Sequence, residues 1–366
     1  MAATIEELNE VIEQRPDYAD AYFNRAIIHT SERRYEEALA DYAKVIELNP
    51  TDLGAYNNRG NLYIFFNQAE QAIQDFDQAI ALNPHDPDAY YNRAILFTEM
   101  GRLDEALEDY NAAVEKNFQD PAIYFNRAMV LLRQGDWETA LKDLGQTIQL
   151  RPDHADSYVA RANVYMDLRQ YQEALDDYSL AIRIRPQFLI AHFNRANLLN
   201  MLGPRYAAAA LQDYNQVLEI NPKEVNALIS RGNVLDDLER YEEALADYSE
   251  AISLQPEGSD ARFNRAIVYK KLEQYEEALA DYSTIIELHP LDAEAYNNRG
   301  NLLSDLGREE EALFDYGMAI QNQPDYAEGY INRAIVLKAM GRIGEAREDY
   351  AQALALNPDL SGVIDL

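Results

Sequence analysis

The chain has 366 residues, 64 acidic against 32 basic side chains (formal charge −32), 48% hydrophobic residues and no cysteine. This balance excludes disulfides and thiolate metal sites and opposes binding to nucleic acid or an anionic membrane, both of which need Lys and Arg surfaces; a basic protein partner remains admissible. No apolar run nears the length that spans a bilayer, and the acidic, amphipathic start is neither a signal nor a transit peptide, so the expected compartment is the cytoplasm.

Residues 1–18 read as one helix, with Leu8, Val11 and Ile12 as its apolar stripe and Pro16 as its stop. Prolines then set a ruler: Pro16, Pro50, Pro84, Pro152, Pro186, Pro222, Pro256, Pro290, Pro324 and Pro358 are spaced by 34 residues or a multiple of it, except for a step of 36 before Pro222. Between Pro84 and Pro152 the expected place holds Phe118. The ruler divides the chain into ten units: 19–52, 53–86, 87–120, 121–154, 155–188, 189–224, 225–258, 259–292, 293–326 and 327–360. Each unit opens with a predicted helix of about 13 residues bearing Asn-Arg-Ala or a close variant, passes a turn often marked by Gly, and closes with a second helix bearing Ala-Leu-x-Asp-Tyr or a variant. In the first unit Tyr22, Ala26 and His29, and then Ala38, Tyr42, Val45 and Ile46, form helical stripes. A supersecondary unit repeated end to end is a solenoid.

The pattern resembles the tetratricopeptide repeat family in its bacterial form, in which a 34-residue helix-turn-helix carries an aromatic at position 4, Gly or Ala at 8, Ala at 20, an aromatic at 24 and Pro at 32. Position 20 is Ala in all ten units, from Ala38 to Ala346, and position 24 is aromatic in all but one, where Leu144 stands. Position 4 is Tyr in seven units, with His192, Leu228 and Arg262 departing. The resemblance implies an all-α solenoid, ten helix pairs in a right-handed superhelix preceded by a lone second helix, with first helices lining a concave groove. The tail 361–366 is too short for a full capping helix, so the chain is expected either to be part of a longer protein or to stack end to end. Residues 23–63 closely resemble 263–303; the middle units hold the oddities Trp137, Leu144, Ala160, Ser230 and an insertion at Gly203-Pro204, which makes them the expected place for any specialised segment.

No catalytic constellation or cofactor site is readable. His29, His85, His154, His192 and His289 fall at five different repeat positions without ligand spacing and read as surface or packing residues, and no glycine-rich phosphate loop occurs. Position 7 is Arg and position 23 Asp in every unit, from Arg25 and Asp41 to Arg333 and Asp349. Position 7 lies on the core face, where an unpaired charge is costly, so Arg–Asp pairs are expected to bridge first and second helices. Binding is expected on the groove face. Position 6 is Asn in eight units: Asn24, Asn58, Asn92, Asn126, Asn194, Asn264, Asn298 and Asn332. A column of amides offers donors and acceptors to a peptide backbone without reading its side chains, and it resembles the asparagine ladder in the tetratricopeptide superhelix of O-GlcNAc transferase; the alternative is that each amide bonds its own scaffold. Phe23, Tyr91, Phe125, Phe193 and Phe263 at position 5, and Asn61, Asn163, Asn197, Asn233 and Asn301 at position 9, complete the candidate strip. Lys270, Lys271 and Lys338 are the few groove cations and are expected to suit an acidic partner, although the carboxylate clamp of chaperone-binding repeats is missing. The expected function is non-enzymatic binding of a protein or peptide segment; the alternatives are a self-assembling array or the recognition arm of a larger enzyme.

Overall fold

The structure, a computed structural model, describes residues 4–116 and 119–365. Phe118, which stands where the proline ruler breaks, lies outside the described residues. The described residues form 21 α-helices in two compact units, Met1–Pro186 and Gln187–Leu366. The first unit holds a lone helix, α1 (Ile5–Gln14), then the pairs α2 (Ala19–Ser31) and α3 (Tyr35–Leu48), α4 (Leu53–Phe65) and α5 (Ala69–Leu82), α6 (Pro87–Glu99) and α7 (Leu103–Glu115), α8 (Pro121–Gln134) and α9 (Trp137–Leu150), and α10 (Ala155–Asp167) and α11 (Tyr171–Ile184). The second holds α12 (Leu189–Met201) and α13 (Ala207–Ile220), α14 (Val225–Asp237) and α15 (Tyr241–Leu254), α16 (Asp260–Lys271) and α17 (Tyr275–Leu288), α18 (Ala293–Asp305) and α19 (Glu309–Asn322), and α20 (Ala327–Ala339) and α21 (Ile343–Leu356). The insertion forms a 3-10 turn at Pro204–Tyr206 between α12 and α13. The fold is an α-solenoid of helix pairs.

Local chemistry sets the helix ends. Thr4 closes a capping box with Glu7, and the side chains of Asp52, Asp86, Asp120 and Asp292 accept from the first backbone amides of the helices they precede. At position 15, between the two helices of every unit, the backbone is left-handed: Gly101, Gly135, Gly203, Gly307 and Gly341 supply it in five, while Arg33, Asn67, Arg169, Glu239 and Glu273 adopt φ of 57–61° in the others.

The core is small residues facing rings. The position-20 alanines are all fully buried, and Tyr42, Phe76, Tyr110, Tyr178, Tyr214, Tyr248 and Tyr316 fill the space between helices. Three of the rings sit so close to position 8 that a Cβ on Gly60, Gly232 or Gly300 would lie 2.6–2.9 Å from them. In three units the position-4 tyrosine reaches the proline before it: the hydroxyls of Tyr22 and Tyr158 donate to the carbonyls of Pro16 and Pro152 at 3.3 Å, and that of Tyr90 to Pro84 at 3.5 Å. Where that tyrosine is missing, Arg262 donates to the Gly258 carbonyl at 2.9 Å and His192 meets Asp213 at 2.8 Å. The tail forms no capping helix, but it folds back: Ile364 is buried among Ile331, Ala334 and Ala353, and the Gly362 amide donates to the Tyr350 hydroxyl at 2.9 Å.

Candidate functional site: the first-helix face

The position-7 arginines of the first helices belong to the scaffold. In all ten units the position-7 guanidinium donates through Nε and Nη2 to both oxygens of the position-23 carboxylate, at 2.6–2.8 Å. These bidentate pairs lie within a unit and join its two helices. In six units the third nitrogen, Nη1, also reaches back to the preceding second helix, to Asn9, Asp77, Asn111, Asn215, Ser249 or Ser283. One planar fork thus fixes a pair and its stacking. The carboxylates are 1–7% exposed, and Asp281 holds its partner Arg265 above its ordinary range. Asp213 accepts from both His192 and Arg195; desolvation pushes its carboxyl up, but these hydrogen bonds outweigh it and hold the group below its usual value.

The position-9 asparagines are also largely committed. Asn163, Asn197, Asn233 and Asn301 accept, through their carbonyl oxygens, from the hydroxyls of Tyr178, Tyr214, Tyr248 and Tyr316 at 2.6–2.9 Å. The reason is satisfaction: a buried phenol needs an acceptor, and burial raises the Tyr214 hydroxyl to about 12. Asn61 is the exception, because its unit has Phe76 in place of a tyrosine, and it is exposed. The pairing was readable, since Asn at position 9 coincides with Tyr at position 24 in four of five units.

At position 6 the amides divide. Asn126 donates to the Tyr91 hydroxyl, Asn264 to the Asn233 carbonyl and Asn332 to the Asn297 carbonyl, each at 2.9 Å, and these stitch a first helix to the one before it. Asn24, Asn92 and Asn298 make no side-chain hydrogen bond to another described residue. Asn24 is exposed; Asn58, Asn92, Asn194 and Asn298 are half-buried. Phe23, Tyr91, Phe193 and Phe263 stand edge-on or tilted against the core tyrosine of their own unit, with centroids 5.7–6.2 Å apart, and Phe125 packs on His154 at 5.0 Å. The two position-5 amides are buried: Asn297 is bonded, and the Asn57 carbonyl oxygen has no partner.

The Asn264–Asn233 bond spans 31 residues, and the same offset relates Asn298 to Ile267 and Asn58 to Ile27; Asn58 also bonds the Tyr42 hydroxyl. Ile27 and Ile267 are 44% and 43% exposed. Two of the groove cations are already neutralised: Lys271 pairs with Asp236 at 2.7 Å and Lys270 with Asp305 at 2.6 Å, so the expectation that they meet an acidic partner is corrected; Lys338 is exposed. Among the described residues no group of three His, Asp or Glu is placed to hold a metal, and no helix is long and apolar enough to cross a membrane. The histidines include two buried ones, His29 and His192.

Comparison with known proteins agrees with this architecture. A family model described as tetratricopeptide repeat matches residues 57–121, 125–188, 160–225 and 264–327, and further models of that description match 19–52 and 327–360, with a TPR repeat model at 232–273. No curated protein matches the chain. Among solved structures, the C-terminal part of a TPR repeat-containing protein from Cytophaga hutchinsonii is similar at a TM-score of 0.58 and 17% identity, over 65% of this chain and 97% of that one. A tetratricopeptide repeat protein from Parabacteroides merdae is similar at 0.52 and 23%, over 66% and 94%. YrrB, described as a TPR protein with an unusual peptide-binding site, is 27% identical over 51% of this chain and 97% of its own, with a TM-score of 0.45. With matches over more than half its length and the helix-pair architecture that such repeats build for protein–protein interaction, the chain belongs to the tetratricopeptide repeat family.

Proposed function

We propose that the chain is a non-enzymatic scaffold that binds an extended segment of a partner protein along its first-helix face. The amide of Asn298 in the second compact unit, and separately those of Asn24 and Asn92 in the first, contact the partner's backbone, and exposed isoleucines contact its apolar side chains. The observation that carries this reading is an unbonded amide, Asn298, one unit on from an exposed isoleucine, Ile267, at the offset that joins Asn264 to Asn233. An amide column supplies donors and acceptors to an extended backbone, and adjacent apolar contacts add affinity. The chain's charge of −32 favours a basic segment, which its field would also steer inward.

The test is photo-crosslinking with peptides selected on the full chain from a random phage-displayed library. A benzophenone side chain replaces Ile267 in one variant and Glu108, on the second helix α7, in another. Cross-links at 267 and none at 108 support the reading. Equal labelling at both places, or labelling at 108 alone, contradicts it.

A further inference from the structure

We propose that the second-helix face of α17, α19 and α21 is a separate docking surface for a basic, amphipathic helix of a partner protein, anchored on Phe314. Phe314 is 64% exposed at mid-helix in α19. In the nine other units this repeat position holds Ala, Gln, Glu, Asp or Lys, so packing a helix pair requires no ring there. The ring divides two clefts. One, of about 700 Å³, has Leu279 and Ala280 on its far wall and Arg299 and Leu303 at its floor; the other, of about 460 Å³, lies over Arg333 and Leu337.

The electrostatics of these clefts select the occupant. Every arginine in them is already engaged: Arg299 and Arg333 by Asp315 and Asp349, Arg308 by Glu311, and Arg342 by Glu345. Glu276 and Glu310 at the first cleft, and Glu310 and Glu348 at the second, make no close ion pair, although Arg308 and Arg342 attract Glu276 and Glu310 from farther off. An apolar anchor ringed by more carboxylates than guanidinium groups fits a helix that sets leucine-like side chains beside Phe314 and lysines or arginines against the glutamates. A cation over the Phe314 ring adds to this. The same charge opposes a second copy of this acidic chain on the face.

The test uses the full chain and a fluorescein-labelled Lys/Leu amphipathic peptide of about 18 residues, long enough to form a helix once bound, with a Glu/Leu peptide as its counterpart. Fluorescence anisotropy measures affinity for the wild type, Phe314→Ala, the triple Glu276→Gln/Glu310→Gln/Glu348→Gln, and Asn298→Ala. The expected result is a loss of about tenfold or more for Phe314→Ala and for the triple variant. Asn298→Ala retains affinity, which separates this surface from the first-helix face. The Glu/Leu peptide does not bind. Wild-type affinity in Phe314→Ala would overturn the proposal, because the cationic peptide would then be held by charge alone. A concentration-dependent dimer that Phe314→Ala abolishes in sedimentation would also overturn it, since the occupant would be a second copy.

Discussion

At the scale of single residues, the bidentate pairs explain how an arginine can stand on a core face. Asp281 is 5% exposed and accepts both of its hydrogen bonds from Arg265, at 2.8 and 2.6 Å. Arg265→Leu leaves that carboxylate buried without a partner and should cost about 3 kcal/mol, whereas Arg265→Leu/Asp281→Leu removes both charges and should recover most of the loss. Urea denaturation of the wild type and the two variants measures this; equal losses would assign the cost to packing. His29 offers a second case. Its Nδ1 is buried without a partner, and burial depresses its imidazole below the ordinary 6.5. The unfolded chain therefore binds the proton more readily, and stability falls as pH drops through about 6.5. Every other unit has Tyr, Phe or Leu at this position. His29→Leu should stabilise by about 1 kcal/mol at pH 8 and by more at pH 5, read from thermal melts at both values.

Turns and helix faces are decided at the scale of elements. The left-handed residue between the helices of each unit is glycine in half the units and a charged or amide residue in the rest, with Glu239 at φ 57°. Five glycines were visible in the sequence; the strained positions were not, because an arginine or glutamate in a turn gives no sign of its φ. Relief of that strain should exceed the flexibility that glycine adds to the unfolded chain, so Glu239→Gly is expected to stabilise by about 0.5–1 kcal/mol. Urea midpoints decide it, and a lower midpoint would contradict the assignment. The Arg–Asp pairing was legible because both partners recur in every unit and the helical period places the arginine on the core face. The commitment of Asn301 was legible too, from the tyrosine at position 24 of its unit, but the split among the position-6 asparagines was not: Asn298 and Asn332 look alike in sequence, and only Asn332 finds a carbonyl, that of Asn297, on the first helix before it. The cations Lys270 and Lys271 misled in the same way, since their acidic partners come from neighbouring units.

At the scale of the whole molecule, repetition made the fold legible: a 34-residue ruler, invariant Ala at position 20 and rings at position 24 together specify helix pairs packed on their neighbours. Repetition also limits what can be read, because a residue kept in every unit serves stacking whether or not it also serves binding, and recognition has to be sought where units differ. Asn298 and Asn301 allow the two roles to be separated on one helix, α18. The most direct measurement takes Asn298→Ala and Asn301→Leu and determines, for each, the urea unfolding free energy and the affinity for a library-selected peptide. Asn298→Ala is expected to keep wild-type stability to within about 0.5 kcal/mol while weakening peptide binding about tenfold, and Asn301→Leu to lose about 1 kcal/mol by removing one of the two partners of the Tyr316 hydroxyl, Ser304 remaining beside it, while its folded form binds as before. The opposite pattern, with Asn298 carrying stability and Asn301 carrying affinity, would contradict this assignment.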